Sequence, residues 1–496
     1  MIEKDQTINV LFAAAEADPF IKAGGLGDVA GALPKAILEL NSLNDSVLKT
    51  DIRLILPYHN EIKEKYPPAQ SILEFQIKNK YGDVPGKCFL LIDGHLKVYL
   101  IDGEPIQKAI HLYNNSEEIN NNLYTFFSLA IIEIIKKLDW KPDILHANDW
   151  HTAISVYKLQ QNETDQIDSN VLSVLTIHNL PYFGSNIKKL LHEYKIPLSS
   201  NKVLPNWARN IPLPLGIVSA DQITTVSPTY AEEIKKEAYG CGLENIFNDP
   251  DFNVLGILNG LEEKVWNPVN DPYIETNYSV DNIGNKNKNK NSLLSKCFTE
   301  INQSKPLLIS VSRLDHQKGI DLIIEAIRLL VSRYDLYFVL LGSGDPKLEV
   351  KCRSLEKDNP NSIKFLNTYD AIFSHKMYSA GDIFLMPSRY EPCGISQMIA
   401  MKYGCVPIAH ATGGLVDTIN DPQNCTKPNG FLFSKATGKH LLAVIEKAID
   451  IFINDHNQWL EIQKNGMESN FSWQNSAIQY LNLYQGLISK HKKTLS

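Results

Sequence analysis

Four stretches of this chain set polar or charged side chains on turns between an apolar run and a helix-like run. In Ser312-Arg313-Leu314-Asp315-His316-Gln317-Lys318-Gly319, two cations stand five residues apart, a planar fork and a point charge suited to neutralising a diphosphate. Cations are disfavoured where a helix begins unless an anion sits there, which tells against a merely solvated basic turn. In Lys22-Ala23-Gly24-Gly25-Leu26-Gly27-Asp28, a mobile lysine and a carboxylate flank glycines whose backbone can approach a ligand. That spacing matches neither the dinucleotide fingerprint nor the P-loop. In Pro387-Ser388-Arg389-Tyr390-Glu391-Pro392-Cys393-Gly394-Ile395-Ser396, Glu391 is offered to hydroxyl groups, while Cys393, Gly394, Ile395 and Ser396 form a helix start whose N–H groups suit phosphate. Thr412-Gly413-Gly414 supplies a further glycine turn.

Such turns need strands behind them. From Ile8 onward, strand-length apolar runs alternate with longer amphipathic segments, the pattern of βα units on a parallel sheet and hence an α/β fold. The first half offers residues 8–15, 51–56, 97–101, 144–147, 173–177, 222–226 and 254–258, with an apolar helix at 123–138. Two consecutive runs end in polar clusters, Asn148-Asp149-Trp150-His151 and His178-Asn179, which would face one crevice. A tryptophan after a strand is often plain packing, so Trp150 has a structural reading beside the functional one. A second series follows at 307–311, 337–341, 363–366, 383–386 and 406–409. Two such halves in tandem would place a cleft between them. Residues 282–291 alternate Asn with Lys and read as an exposed, mobile loop near the junction. After Phe471-Ser472-Trp473, a last amphipathic helix at 475–489 either caps the second sheet or reaches back to the first half.

The 496 residues suffice for two large domains or about three smaller ones. A net charge of −7 gives no footprint for nucleic acid or an anionic membrane surface. The seven cysteines are scattered, without a close CxxC pair, and read as reduced thiols, not as a disulfide frame or zinc site. No apolar run approaches the roughly 20 residues of a membrane span. A soluble, cytoplasmic protein is expected, with no cofactor and, absent metal-ligand spacing, no metal.

In order and spacing, the Lys22–Asp28 loop, His178-Asn179, Asn259-Gly260, Trp266-Asn267-Pro268, Arg313 with Lys318, Glu391-Pro392-Cys393-Gly394 and Thr412-Gly413-Gly414 resemble the motif series of bacterial glycogen synthases and plant starch synthases. The resemblance runs from about residue 8 to the terminal helix. It implies a GT-B architecture: two Rossmann-like domains facing a deep interdomain cleft, with a C-terminal helix crossing back to the first. The corresponding division is residues 1–260, a hinge with the Asn/Lys loop at 261–300, a nucleotide-sugar domain at 301–472 and the return helix at 473–496.

The resemblance further implies transfer of glucose from ADP-glucose to the non-reducing end of an α-1,4-glucan, with retention of configuration. It would make Lys22, His178, Arg313, Lys318 and Glu391 catalytic. Arg313 and Lys318 would hold the diphosphate, His178 the transferred glucose near its 6-hydroxyl, and Glu391 the ring hydroxyls. Gly24, Gly25, Asp28, Asn259, Tyr369, Cys393, Gly394, Ile395, Ser396, Thr412, Gly413 and Gly414 would bind the donor, Tyr369 by stacking on the base. Asp149, Trp150, His151 and Asn179 would lie on the acceptor side. The partners implied are a nucleotide sugar and a glucan.

The chain departs from the family pattern at Leu123, Pro214-Leu215, Leu261-Glu262 and His410, positions that bear on acceptor handling and nucleotide preference. Two alternatives therefore stand beside the leading one. One is a retaining transferase using UDP-glucose or another acceptor, and the other a glucan-binding paralogue without turnover.

Overall fold

The computed structural model describes residues 7–43, 49–67, 70–161 and 171–495. The chain divides into two compact units, Met1–Gly260 with Trp473–Ser496, and Leu261–Ser472.

In the first unit the strands are β1 (Ile8–Ala13), β2 (Thr50–Pro57), β3 (Ser71–Ile77), β4 (Val84–Asp93), β5 (Leu96–Gly103), β6 (Ile144–Asn148), β7 (Leu172–Ile177), β8 (Gln222–Thr225) and β9 (Val254–Gly256). They form one sheet in the order β3-β4-β5-β2-β1-β6-β7-β8-β9. From β5 to β9 every neighbouring pair is parallel, while β3 and β4 extend the edge as an antiparallel hairpin. β6 and β7 are buried along their whole length, as strands covered by helices on both faces must be. Leaving the hairpin aside, the sheet changes direction of growth between β1 and β6. In open α/β sheets, ligands bind beyond the strand ends at that switch.

The second unit repeats the plan. β10 (Leu307–Val311), β11 (Tyr337–Leu341), β12 (Ile363–Leu366), β13 (Ile383–Met386), β14 (Val406–His410) and β15 (Phe431–Phe433) form a wholly parallel sheet ordered β12-β11-β10-β13-β14-β15. This is the 3-2-1-4-5-6 order of dinucleotide-binding folds, with its switch between β10 and β13.

The terminal helix Trp473–Leu495 belongs to the first unit. Ser476 Oγ donates to the Leu258 carbonyl at 2.5 Å, and Tyr484 Oη lies 2.6 Å from His146 Nδ1 in the middle of β6. Gly260 makes the junction possible, since a Cβ there would stand 2.6 Å from Trp473. The Trp266-Asn267-Pro268 motif is likewise an anchor, in the second unit. Trp266 stacks on His375 at 3.9 Å and 11°, and His375 Nδ1 is bonded to buried Asp271 at 2.7 Å.

The Asn/Lys stretch differs from its expected loop. Residues Lys286–Cys297 form an α-helix whose Lys286, Asn289, Lys290, Leu293 and Leu294 are buried. Lys286 Nζ donates to the carbonyls of Tyr378, Ser379 and Tyr403 at 2.9–3.0 Å, and Lys290 Nζ pairs with Asp382 at 2.6 Å. Low complexity hid a helical period written in polar letters, and buried Lys286, Asn289 and Lys290 each found a partner.

Breaking a buried ion pair from one side costs about 3–5 kcal/mol, whereas exposed positions change stability by about 0.5 kcal/mol or less. Lys290→Ala should therefore lower the denaturation midpoint markedly, and Lys288→Ala, on the exposed side of the same helix, should not. Equal midpoints in urea titrations would contradict the buried role.

Candidate functional site

At the switch of the second sheet lies a cavity of about 200 Å3 bordered by Ser310, Arg313, Lys318, Met386, Ser388 and Ser396. The strand ends of β10 and β13 deliver these residues, so both turns singled out in the sequence meet at one place. Arg389 fastens them together. Its N–H donates to the Gln317 carbonyl at 2.8 Å, and its guanidinium forks onto Asp321 at 2.7 and 2.9 Å.

Inside this frame Lys318 Nζ donates to Glu391 at 2.5 Å, and Ser388 Oγ donates to the same carboxylate oxygen at 2.9 Å. Glu391 is buried, while the Arg313 side chain is two-thirds exposed and, among the described residues, pairs with Asp315 at 3.2 Å. One cation is thus held and the other is at hand. Tyr369 is 87% exposed, an open ring face at the end of β12, and the next residue, Asp370, caps the helix Ala371–Ala380.

The glycines of Thr412-Gly413-Gly414 serve packing first. Gly413 has φ +45°, and a Cβ there would stand 2.1 Å from the Glu391 carbonyl; at Gly414 it would stand 2.3 Å from that of Cys393. They let the Glu391-Pro392-Cys393-Gly394 turn seat against them. The helix expected to start at Cys393 starts at Ser396, with Ile395 as its cap. His410, a departure from the family pattern, donates from Nδ1 to the Ser388 carbonyl at 2.9 Å, just behind the Glu391 contact. Leu123 and Leu215 are fully buried core residues.

The switch of the first sheet gathers the other candidates. Lys22 Nζ pairs with Asp28 at 2.5 Å, both side chains part-exposed. The Gly24 N–H is taken by the Glu16 carboxylate at 3.0 Å. Sequence reasoning passed over Glu16, since an isolated acid after a strand carries no motif. Asn259 is buried at the junction with the terminal helix.

His178 follows β7 and is half-buried. Its Nε2 lies 2.8 Å from Asn148 Oδ1, and Asn148 Nδ2 donates to the Ala13 carbonyl at 3.0 Å. With the amide set that way, Nε2 carries the proton and Nδ1 is left as an acceptor. Burial pulls the imidazole down to about 3, so the ring is neutral at neutral pH.

Asp149 is a non-glycine residue at φ +54°, held by the His178 N–H at 2.7 Å. Asn179 Oδ1 and His151 Nδ1 are buried without hydrogen-bond partners among the described residues, the mark of a place that a ligand or water completes. Trp150 packs edge-on to Tyr124 at 5.0 Å and leaves no room for a Cβ at Gly184, the structural reading.

The sequence matches two family models, the starch synthase catalytic domain over residues 9–249 and glycosyl transferases group 1 over 295–465. A glycogen synthase of Mycoplasma mobile is 38% identical over 96% of this chain and 99% of its own, and one of Clostridium novyi 37% identical over 97% and 100%. Among solved structures, the catalytic domain of starch synthase IV from Arabidopsis thaliana, bound to ADP and acarbose, superposes with a TM-score of 0.85 at 29% identity, covering 98% of this chain and all of that one.

Burial, opposed by the N–H groups of His178 and Asn179, pushes the Asp149 carboxyl up to about 7. A folded-state value above the unfolded 3.8 means that this group's stabilisation is full below pH 3.8 and is lost as pH rises toward 7. Asp149→Asn, a residue that tolerates positive φ, should therefore gain stability relative to the parent between pH 5 and pH 8, on the order of a few kcal/mol. Thermal melts that keep the same difference at both pH values would contradict this.

Proposed function

This chain belongs to the family of bacterial glycogen synthases and plant starch synthases, glycosyltransferases of GT-B fold, and we propose that it transfers glucose from ADP-glucose to the non-reducing end of an α-1,4-glucan with retention of configuration. The observation that carries this reading is the pairing of exposed Arg313 with Lys318 around the cavity at the β10–β13 switch. A departing nucleoside diphosphate places negative charge on oxygen there, and fixed cations aimed at developing charge supply much of a transferase's rate. Such cations also answer the charge without a metal ion, so the reaction should run in EDTA. Support for the ADP donor comes from the Arabidopsis starch synthase, which holds ADP.

In this reading the diphosphate takes Lys318 from Glu391, and Glu391 turns to ring hydroxyls of the transferred glucose. Tyr369 offers its open face to the base. In the first unit, Nδ1 of neutral His178 accepts from a glucose hydroxyl, and Lys22 and Asp28 serve the donor and acceptor. Asp149, His151 and Asn179 supply polar groups for the incoming glucan, and Asn259 lines the sugar pocket. Retention follows from attack on the face the leaving phosphate vacates, with that phosphate taking the acceptor's proton. Two-carboxylate glycosidases use a close pair of acids for retention, and no such pair carries the present reading. A cytoplasmic location fits a chain with no helix among the described residues long and apolar enough to cross a membrane.

Nucleoside diphosphate release with ADP-glucose or UDP-glucose, with and without glycogen, in EDTA, tests the proposal. Glycogen-dependent release from ADP-glucose is expected, and Arg313→Ala should lower kcat by about 10²–10³-fold while glycogen affinity holds. Preference for UDP-glucose would overturn the donor assignment, and retained glucan binding with no turnover on either donor would leave a binding paralogue.

A further inference from the structure

We propose that Glu16 is the positioning residue of the Lys22 loop, fixing the backbone from which Lys22 reaches the donor. The inference rests on the reading of Lys22 as a donor-facing cation.

Glu16 lies three residues beyond β1 and is 2% exposed. One oxygen, Oε2, accepts from the Ala23 N–H and, at 3.0 Å, from the Gly24 N–H. The other, Oε1, accepts from Tyr113 Oη at 2.9 Å. Three donors from two separate segments converge on one buried carboxylate, which leaves it little freedom to move. Desolvation of its hydroxyl, reinforced by Glu16, holds the phenol of part-exposed Tyr113 well above its ordinary range, and hence protonated and a donor.

The loop is shaped around this contact. A Cβ at Gly27 would stand 2.8 Å from Lys22 Cγ and 3.1 Å from Glu16 Oε2, so the lysine stem and the carboxylate both cross the space that only glycine leaves empty. The Gly24 N–H is spent on Glu16, and what the loop presents outward is the Lys22 ammonium with Asp28 beside it. A lysine carries its charge on a long flexible stem, so its placement depends on where its Cα is held. A misplacement of about 1 Å can cost about 10²-fold in rate.

The test is a double-mutant cycle on kcat in the full chain, using Glu16→Gln, Lys22→Ala and the double variant, with thermal melts as a folding control. The amide keeps the shape but loses charge and one acceptor oxygen. Glu16→Gln is expected to lower kcat about 10–100-fold in the parent and less than about twofold in the Lys22→Ala background, because it acts through Lys22. Tyr113→Phe, which leaves Glu16 in place without its orienting hydroxyl, should show a smaller loss that also vanishes without Lys22. This variant carries the test if Glu16→Gln does not fold. Additive losses would overturn the proposal, since a general structural role or a direct contact with substrate does not depend on Lys22. A low Lys22→Ala rate beside an unimpaired Glu16→Gln rate would overturn it too, leaving the reading of Lys22 intact. An unimpaired Lys22→Ala would remove that reading and the proposal together.

Discussion

A buried carboxylate is stable only with partners, and in the second unit that requirement is met by Lys318. The Lys318–Glu391 contact, with Ser388 donating to the same oxygen, explains why three separated motifs have their particular residues. Lys318 comes from the β10 turn, Glu391 from the β13 turn, and the glycines after β14 clear the backbone space that the Glu391 turn occupies. His410 holds the Ser388 carbonyl from behind, and Arg389 fixes the two turns to each other. On the proposed reading the ion pair is also a reserve: the cation is already oriented, and an incoming diphosphate would compete for it.

The first unit follows the same physical logic with different residues. Its switch point lies between β1 and β6, and there too a lysine is paired with an acid, Lys22 with Asp28, while a second acid, Glu16, holds the loop's backbone. Around them stand groups whose ionisation is displaced by burial: His178, whose ring is pulled down to about 3 and is neutral, and Asp149, pushed up to about 7. Ionisable groups displaced by burial and set beyond strand ends are the pattern in which functional sites cluster. Asp149 tolerates a left-handed backbone because the N–H groups of His178 and Asn179 fix its carboxyl, so the strained residue and the site residue hold each other.

Much of this was legible in the sequence. Buried parallel strands are continuous apolar runs, and β10, β11, β12 and β13 fall on the residues that the pattern named. The cationic turns were visible because charge at a helix start needs a reason. What escaped was written without a local signal. The β3–β4 hairpin is half-exposed and lies at a sheet edge, so its alternation is weak. The Lys286–Cys297 helix buries polar side chains whose partners, among them Tyr378, Asp382 and Tyr403, are distant in sequence. Glu16 is a single acid whose meaning comes from backbone N–H groups seven and eight residues on and from Tyr113, 97 residues away. Several glycines looked like ligand cradles from their spacing, and Gly27, Gly260, Gly413 and Gly414 are explained by close packing. Periodicity reports burial; it does not report which buried polar groups meet.

The central claim, that Glu391 occupies Lys318 until a diphosphate replaces it, is tested most directly by calorimetric titration of ADP into the parent and into Glu391→Gln. ADP lacks the sugar that Glu391 would hold, so the titration isolates the competition for the lysine. Removing the carboxylate charge should tighten ADP binding several-fold, even as transfer activity falls. ADP affinity that is unchanged or weaker in Glu391→Gln would contradict the exchange and reduce the ion pair to a structural contact.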